Sequence, residues 1–248
     1  MQVAVIVLLF ISFLQEHVKL PLQIKEDIWS HMSYANPSVT QNGKTISKYS
    51  CSPEIRGSNV NGANITTIGV ICHEMAHNLL NIPDFYDTNY ETGGKFDGTG
   101  RWDLMASGNY NGTPSGSRPA HFNMYTKVQK GWVTPVTLNS PTVITNMPNS
   151  AENPVAYRIN TTTSNEYFLL ENRQPVKFDT NIPGINGGLV IYRVHSNVGN
   201  SCINCTHPQR VYPVYAASTY ALPIGIITTQ VPNINTYGTI NSSGCPFP

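Results

Sequence analysis

The segment His73-Glu74-Met75-Ala76-His77 sets two imidazoles four residues apart with a carboxylate beside the first. On a helix, residues four apart share a face, so both rings can meet one metal ion. Glu74 adjoins the first histidine and can reach a water at that ion. Zinc suits such ligands and lowers the pKa of water to about 7, which permits attack on a carbonyl at neutral pH. The plainer alternative is an amphipathic helix that happens to carry two histidines, because HExxH alone is a short signal.

A zinc hydrolase needs a third protein ligand and an open fourth position. Past the motif comes Pro83-Asp84-Phe85-Tyr86-Asp87. Asp84 lies seven residues after His77, where the chain must turn back, and it is the third-ligand candidate. Asp87 is the reserve. The other reading has both aspartates capping turns or binding calcium. Asp87, Asn89, Glu91 and Asp97 form an oxygen-rich loop that reads equally as a structural Ca2+ site or as a solvated acidic segment. Met105, inside Gly100–Gly108, sits in a Gly/Ser turn. There it can floor a zinc site or simply fill the core.

These residues need elements to position them. Ile68, Ile71, Met75 and Leu79 recur at helical spacing, so residues 66–80 read as a helix capped by Thr66 or Thr67 and stopped by Pro83. Residues 84–118 read as one long loop, a length usually tied to function or disorder. A second helix is expected over 119–130, opening at Pro119. Asn42-Gly43 marks a turn of hairpin type. From residue 133 onward, short β-type runs at 155–159, 166–171, 188–194 and 211–216 alternate with Pro, Gly and Asn. The apolar run Val3–Leu14 is too short for a membrane span of about 20 residues. It reads as a buried strand better than as a signal-peptide core, since neither a basic start nor a cleavage site accompanies it.

Composition narrows the function classes. With 15 Lys+Arg against 14 Asp+Glu, no basic excess is available for nucleic acid or an anionic membrane surface, and stable membrane insertion is not expected. Charged residues are 12% of the chain, about half the usual share. The surface is instead rich in Asn, with 26 residues. Hydrophobic residues at 40% argue against disorder. The five cysteines are odd in number. Cys202 and Cys205 form a lone CxxC, and a disulfide among Cys202, Cys205 and Cys245 is the simpler reading than a zinc set. Acceptor triplets at Asn64, Asn111, Asn160, Asn204 and Asn241 lean together towards a secreted or cell-surface glycoprotein.

The separated blocks HEMAHNLLNIPDFYDTN (73–89), GRWDLMASG (100–108), PAHFNMYTKVQKGWV (119–133) and EYFLLENRQ (166–174) resemble, in order, those of the immune inhibitor A family of secreted metallopeptidases, relatives of the metzincins. Weaker echoes are QEH near residue 16, IWSH (28–31) and the closing PFP. The resemblance implies that His73 and His77 bind zinc, that Glu74 is the catalytic base, that Asp84 is the third ligand and that Met105 is the Met-turn methionine. It also implies protein or peptide substrates. Two departures stand out. Ala76 and Leu80 occupy places where the family often has Gly, and one extra residue separates His77 from Asp84. The family's pro-region has no counterpart, and Val3–Leu14 aligns best with an internal strand, so an N-terminally truncated chain is expected.

Other residues carry smaller expectations. His31 reads as a packing or hydrogen-bonding residue. His121 reads as a cap that could line the cleft. Tyr110 is a weak candidate for stabilising an oxyanion, and Glu171 and Arg173 are expected to form a buried pair. The whole reads as an α+β, metzincin-like peptidase. A twisted sheet backed by the HExxH helix would occupy residues 1–132, and a β-rich part of the same unit residues 133–248. The rival reading is an impaired or truncated homologue that acts as a surface-binding protein.

Overall fold

The computed structural model describes residues 29–56, 64–89, 96–184, 186–198, 202–206, 208–217 and 239–248. The expected strand Val3–Leu14 and the loop residue Glu91 lie outside them. The architecture is α+β. Strands β1 (His31–Gln41) and β2 (Lys44–Cys51) pair antiparallel around Asn42-Gly43. Both turn residues take positive φ, at 51° and 71°, which matches the right-handed twist of a two-residue hairpin. Strands β3 (Ile55–Arg56) and β4 (Asn64–Ile65) form a short antiparallel ladder that leads into α1 (Ile68–Leu80). The two-stranded hairpin packs beside α1. The larger sheet lies in the second half, in the order β5 (Val136–Thr137), β6 (Tyr157–Asn160), β7 (Glu166–Arg173), β8 (Gly188–His195) and β9 (Val211–Pro213). Only β5–β6 pair in parallel.

Helix α1 starts differently from expectation. Thr67 stands at the N-cap, but its side chain does not cap the helix. Its hydroxyl donates instead to the Ser115 carbonyl at 2.7 Å, and the Gly69 N–H donates to Gly116 O at 2.9 Å. A remote loop therefore satisfies an amide that a local cap would ordinarily take. Gly69 is needed there, since a Cβ would collide with the Asn109 carbonyl.

The second helix is shorter than 119–130. Helix α2 spans Met124–Gln129, and residues 120–123 precede it without regular structure. Two bonds explain this. The Ala120 N–H donates to Gly108 O at 3.0 Å, and the Asn123 side chain caps α2 by accepting from Thr126 N–H at 2.8 Å. The long loop holds two 3₁₀ turns, Gly100–Trp102 and Ser107–Tyr110.

One apolar cluster joins the two halves. Ala76, Phe85, Trp102 and Met105 share it with Leu169, Tyr192, Val211 and Ile240. The C-terminal segment is woven into the same seat, because Trp102 Nε1–H donates to Ile240 O at 2.8 Å and Arg101 N–H to Asn241 Oδ1 at 2.7 Å. Among the described residues, no helix is long and apolar enough to cross a membrane.

Candidate metal centre

Helix α1 presents His73 and His77 on one face, with their rings edge to face at 4.6 Å between centroids. Each Nδ1–H is committed to a carbonyl. His73 donates to Leu104 O at 2.9 Å and His77 to Ile82 O at 2.6 Å. A carbonyl can only accept, so both rings carry the proton on Nδ1 and turn the Nε2 lone pair inward. The two Nε2 atoms are 3.1 Å apart. Asp84 Oδ1 closes the triangle, 3.1 Å from His73 Nε2 and 3.3 Å from His77 Nε2.

Three acceptors facing one another at this distance repel unless a cation sits among them. Asp84 Oδ1 is buried and receives no aligned hydrogen bond. Ligands of a tetrahedral zinc, at about 2.0–2.1 Å from the ion, lie about 3.3 Å from each other. The triangle has those dimensions, so the residues fit the ion. Burial alone would raise the Asp84 carboxyl, but the two imidazoles outweigh it and hold the group at about 2. Burial alone would lower the His73 ring, but Asp84, the Leu104 carbonyl and the nearby Glu74 raise it.

The fourth group of the motif, Glu74, is buried beside His73. Among the described residues, His73, His77 and Asp84 are the sole cluster of three His, Cys, Asp or Glu side chains close enough to share an ion. The reserve ligand Asp87 is not in it. Asp87 is fully buried, and its Oδ1 accepts from the Asn89 N–H at 3.0 Å. Asp97 Oδ2 accepts from the Asn241 amide at 3.1 Å, so the described part of the oxygen-rich loop offers calcium no convergent acidic set.

Asn81 adopts the left-handed conformation (φ 50°, ψ 46°) that glycine, and less often asparagine, supplies at a helix end. The Asn81 and Ile82 N–H groups both close on the Ala76 carbonyl. Two ammonium groups complete this helix end: Lys48 donates to the Asn81 side chain, and Lys130 to Leu80 O at 2.5 Å. Asn81→Val is expected to cost about 1–2 kcal/mol through the left-handed penalty. Asn81→Gly should stay close to wild type. Urea denaturation of the two variants checks this, and equal losses would refute the role of the dihedral.

The segment around Met105 reaches the site through its backbone. Leu104 O orients His73, while Met105 O accepts the Phe85 N–H at 2.8 Å, next to Asp84. The Met105 side chain is fully buried in the core. Behind it, Asp103 is a carboxylate without solvent. Thr99 Oγ1 donates to it at 2.8 Å, the Asn123 amide at 2.6 Å and the Asn123 N–H at 3.1 Å. Burial pushes the Asp103 carboxyl up, against these bonds and one from the Met105 N–H. Sequence reasoning missed Asp103, although a lone Asp between Trp and Leu in a buried turn was a visible signal.

The remaining expected residues lie outside the triangle. His31 is a surface residue hydrogen-bonded to Trp29 O at 2.7 Å and near the Tyr49 hydroxyl. His121 pairs with Asp179, its N–H donating at 2.9 Å. Tyr110 is 45% exposed at the end of its 3₁₀ turn. Of the acceptor triplets, Asn111 and Asn204 are fully buried with their amides in hydrogen bonds, which leaves no room for a glycan in the folded chain. Asn160 is exposed.

Among known families, residues 21–133 match the immune inhibitor A peptidase M6 catalytic domain. No curated protein matches the chain. The matched span contains the whole triangle, Glu74 and Met105, and it ends at Val133, just past α2. The blocks at 166–174 and at the C-terminus lie beyond it. Over residues 21–133 the chain is therefore similar to the catalytic domain of the immune inhibitor A peptidases.

Proposed function

We propose that this chain is a zinc-dependent endopeptidase that hydrolyses peptide bonds of protein substrates outside the cell. His73, His77 and Asp84 would hold the metal, and Glu74 would act as general base. The observation that carries this reading is the triangle of two Nε2 atoms and one carboxylate oxygen, 3.1–3.3 Å on each side, with both ring tautomers set by backbone carbonyls. Zinc held there would acidify water and polarise the scissile carbonyl.

The chain's own residues supply the rest. The Leu104 and Ile82 carbonyls keep the rings basic and aimed, as partners of ligating histidines commonly do. Asp84 balances one unit of the ion's charge. Glu74, on the same helix as both rings, would accept the proton of the attacking water and return it to the leaving amine.

Zinc content per purified chain tests the site, with His77→Ala as control. About one zinc per wild-type chain is expected, and loss of bound metal in a variant that remains folded by circular dichroism. Well-folded wild-type protein that takes up no zinc would sink the proposal.

A further inference from the structure

The segment that carries Asp84 is held in place by residues more than a hundred positions downstream. Cys202 and Cys205 form a disulfide, and Asn204, within their loop, is fully buried. Its amide N–H groups donate to Phe85 O at 2.8 Å and to Val211 O at 2.9 Å, while its Oδ1 accepts the Val211 N–H at 3.1 Å. Val211 opens β9. One side chain thus ties the last strand of the five-stranded sheet to the residue after Asp84.

The same carbonyl receives a second donor, Thr99 N–H, at 3.0 Å, and the Phe85 N–H is taken by Met105 O. Both sulfurs also meet the chain at Thr88: its N–H points to Cys205 Sγ at 3.3 Å, and its hydroxyl lies 3.1 Å from Cys202 Sγ. The packing is close enough to demand glycine at position 98, which has φ +62°. A Cβ there would run into the Phe85 carbonyl and approach the Asn204 amide nitrogen to 2.9 Å.

We propose that Asn204, presented by the Cys202–Cys205 loop, is a positioning residue for the third metal ligand. It acts through Phe85 to keep the Asp84 carboxylate against the two imidazoles, and so makes metal affinity depend on the β-rich half of the chain. This rests on the zinc reading above. The physical reason is the extra residue between His77 and Asp84. A longer connection has more conformations to lose on ordering, and fixing the Phe85 peptide groups removes them before the metal arrives.

The test is a double-mutant cycle on the full chain, reading zinc affinity by competition with a chromophoric chelator. Asn204→Ala is expected to weaken zinc about 10- to 100-fold, the usual effect of losing an outer partner of a ligand. In an Asp84→Ala background the same change should add no further loss, and the visible spectrum of cobalt-loaded Asn204→Ala should move towards that of Asp84→Ala. Equal losses in both backgrounds, or no loss from Asn204→Ala while Asp84→Ala weakens binding, would overturn the positioning role and leave the ligand assignment standing. Unchanged affinity in Asp84→Ala would overturn the ligand assignment and this inference with it. Cys202→Ser/Cys205→Ser retains the Asn204 side chain and releases its loop, which covers the case of an Asn204→Ala chain that does not fold. It should weaken zinc only when Asp84 is present, and a loss independent of Asp84 would count against the proposal.

Discussion

Glu74→Gln should retain zinc at the wild-type level and lose hydrolysis of an unfolded protein by about 10²–10⁴-fold. Gln keeps the volume and shape of Glu74 and leaves both rings on α1 untouched, so the triangle of Nε2 atoms and Asp84 Oδ1 is preserved. What disappears is a group able to accept a proton. His77→Ala would remove metal and activity together, because it deletes one corner of the triangle. The pair of variants separates holding the ion from using it. Zinc-loaded Glu74→Gln that cleaves within tenfold of wild type would rule Glu74 out as the base.

The motif was legible because its chemistry is local. Two histidines four apart need only a helix to converge, and Ile68, Ile71, Met75 and Leu79 announce that helix by their spacing. Asn42-Gly43 was legible for a similar reason: its two positive-φ residues encode a tight hairpin by themselves. The short β-type runs around 157, 166, 188 and 211, set between Pro, Gly and Asn, mark strands, though not the mostly antiparallel order in which they pair.

What the residues did not reveal depends on contacts distant in the chain. The Gly69 amide at the start of α1 is satisfied by Gly116, about fifty positions away, and Ser115 takes the Thr67 hydroxyl, so Thr67 holds the N-cap position without capping through its side chain. Pro119 looked like the first residue of a helix, but Asp103 and Gly108 bind the backbone of residues 120–123 and delay α2 to Met124. Asn81 is a polar residue after a leucine pair, and only its dihedral shows that it ends the helix in the left-handed conformation. Asn204 reads as a glycan acceptor in sequence. In the fold its amide belongs to Phe85 and Val211.

Arg173→Leu should be the most destabilising single change outside the metal centre, at about 3–5 kcal/mol near neutral pH, the range for breaking a buried ion pair. The guanidinium is fully buried and donates to Glu171 Oε1 at 3.2 Å and to Asp179 Oδ1 at 2.7 Å, with both carboxylates also out of water. Ser150 and His121 add donors to the two acids. Leu would remove the central cation and leave Lys127, 3.7 Å from Glu171, and the His121 ring, 3.2 Å from Asp179, as the nearest remaining basic groups. In the wild type, burial works to raise both carboxyls, but Arg173 and their other donors win and hold Glu171 and Asp179 below the ordinary range. A depressed folded-state pKa gives stability that is complete above the unfolded value, about 4 for such groups, and is lost as pH falls through the lower folded value. Without the arginine the sign reverses, because burial then dominates and the acids take up protons in the folded state as pH drops. The gap between wild type and Arg173→Leu should therefore narrow from pH 7 towards pH 4.5 in urea denaturation. A gap that stays constant across that interval would mean that the loss is one of packing volume, and that the charges of Glu171 and Asp179 are balanced without Arg173.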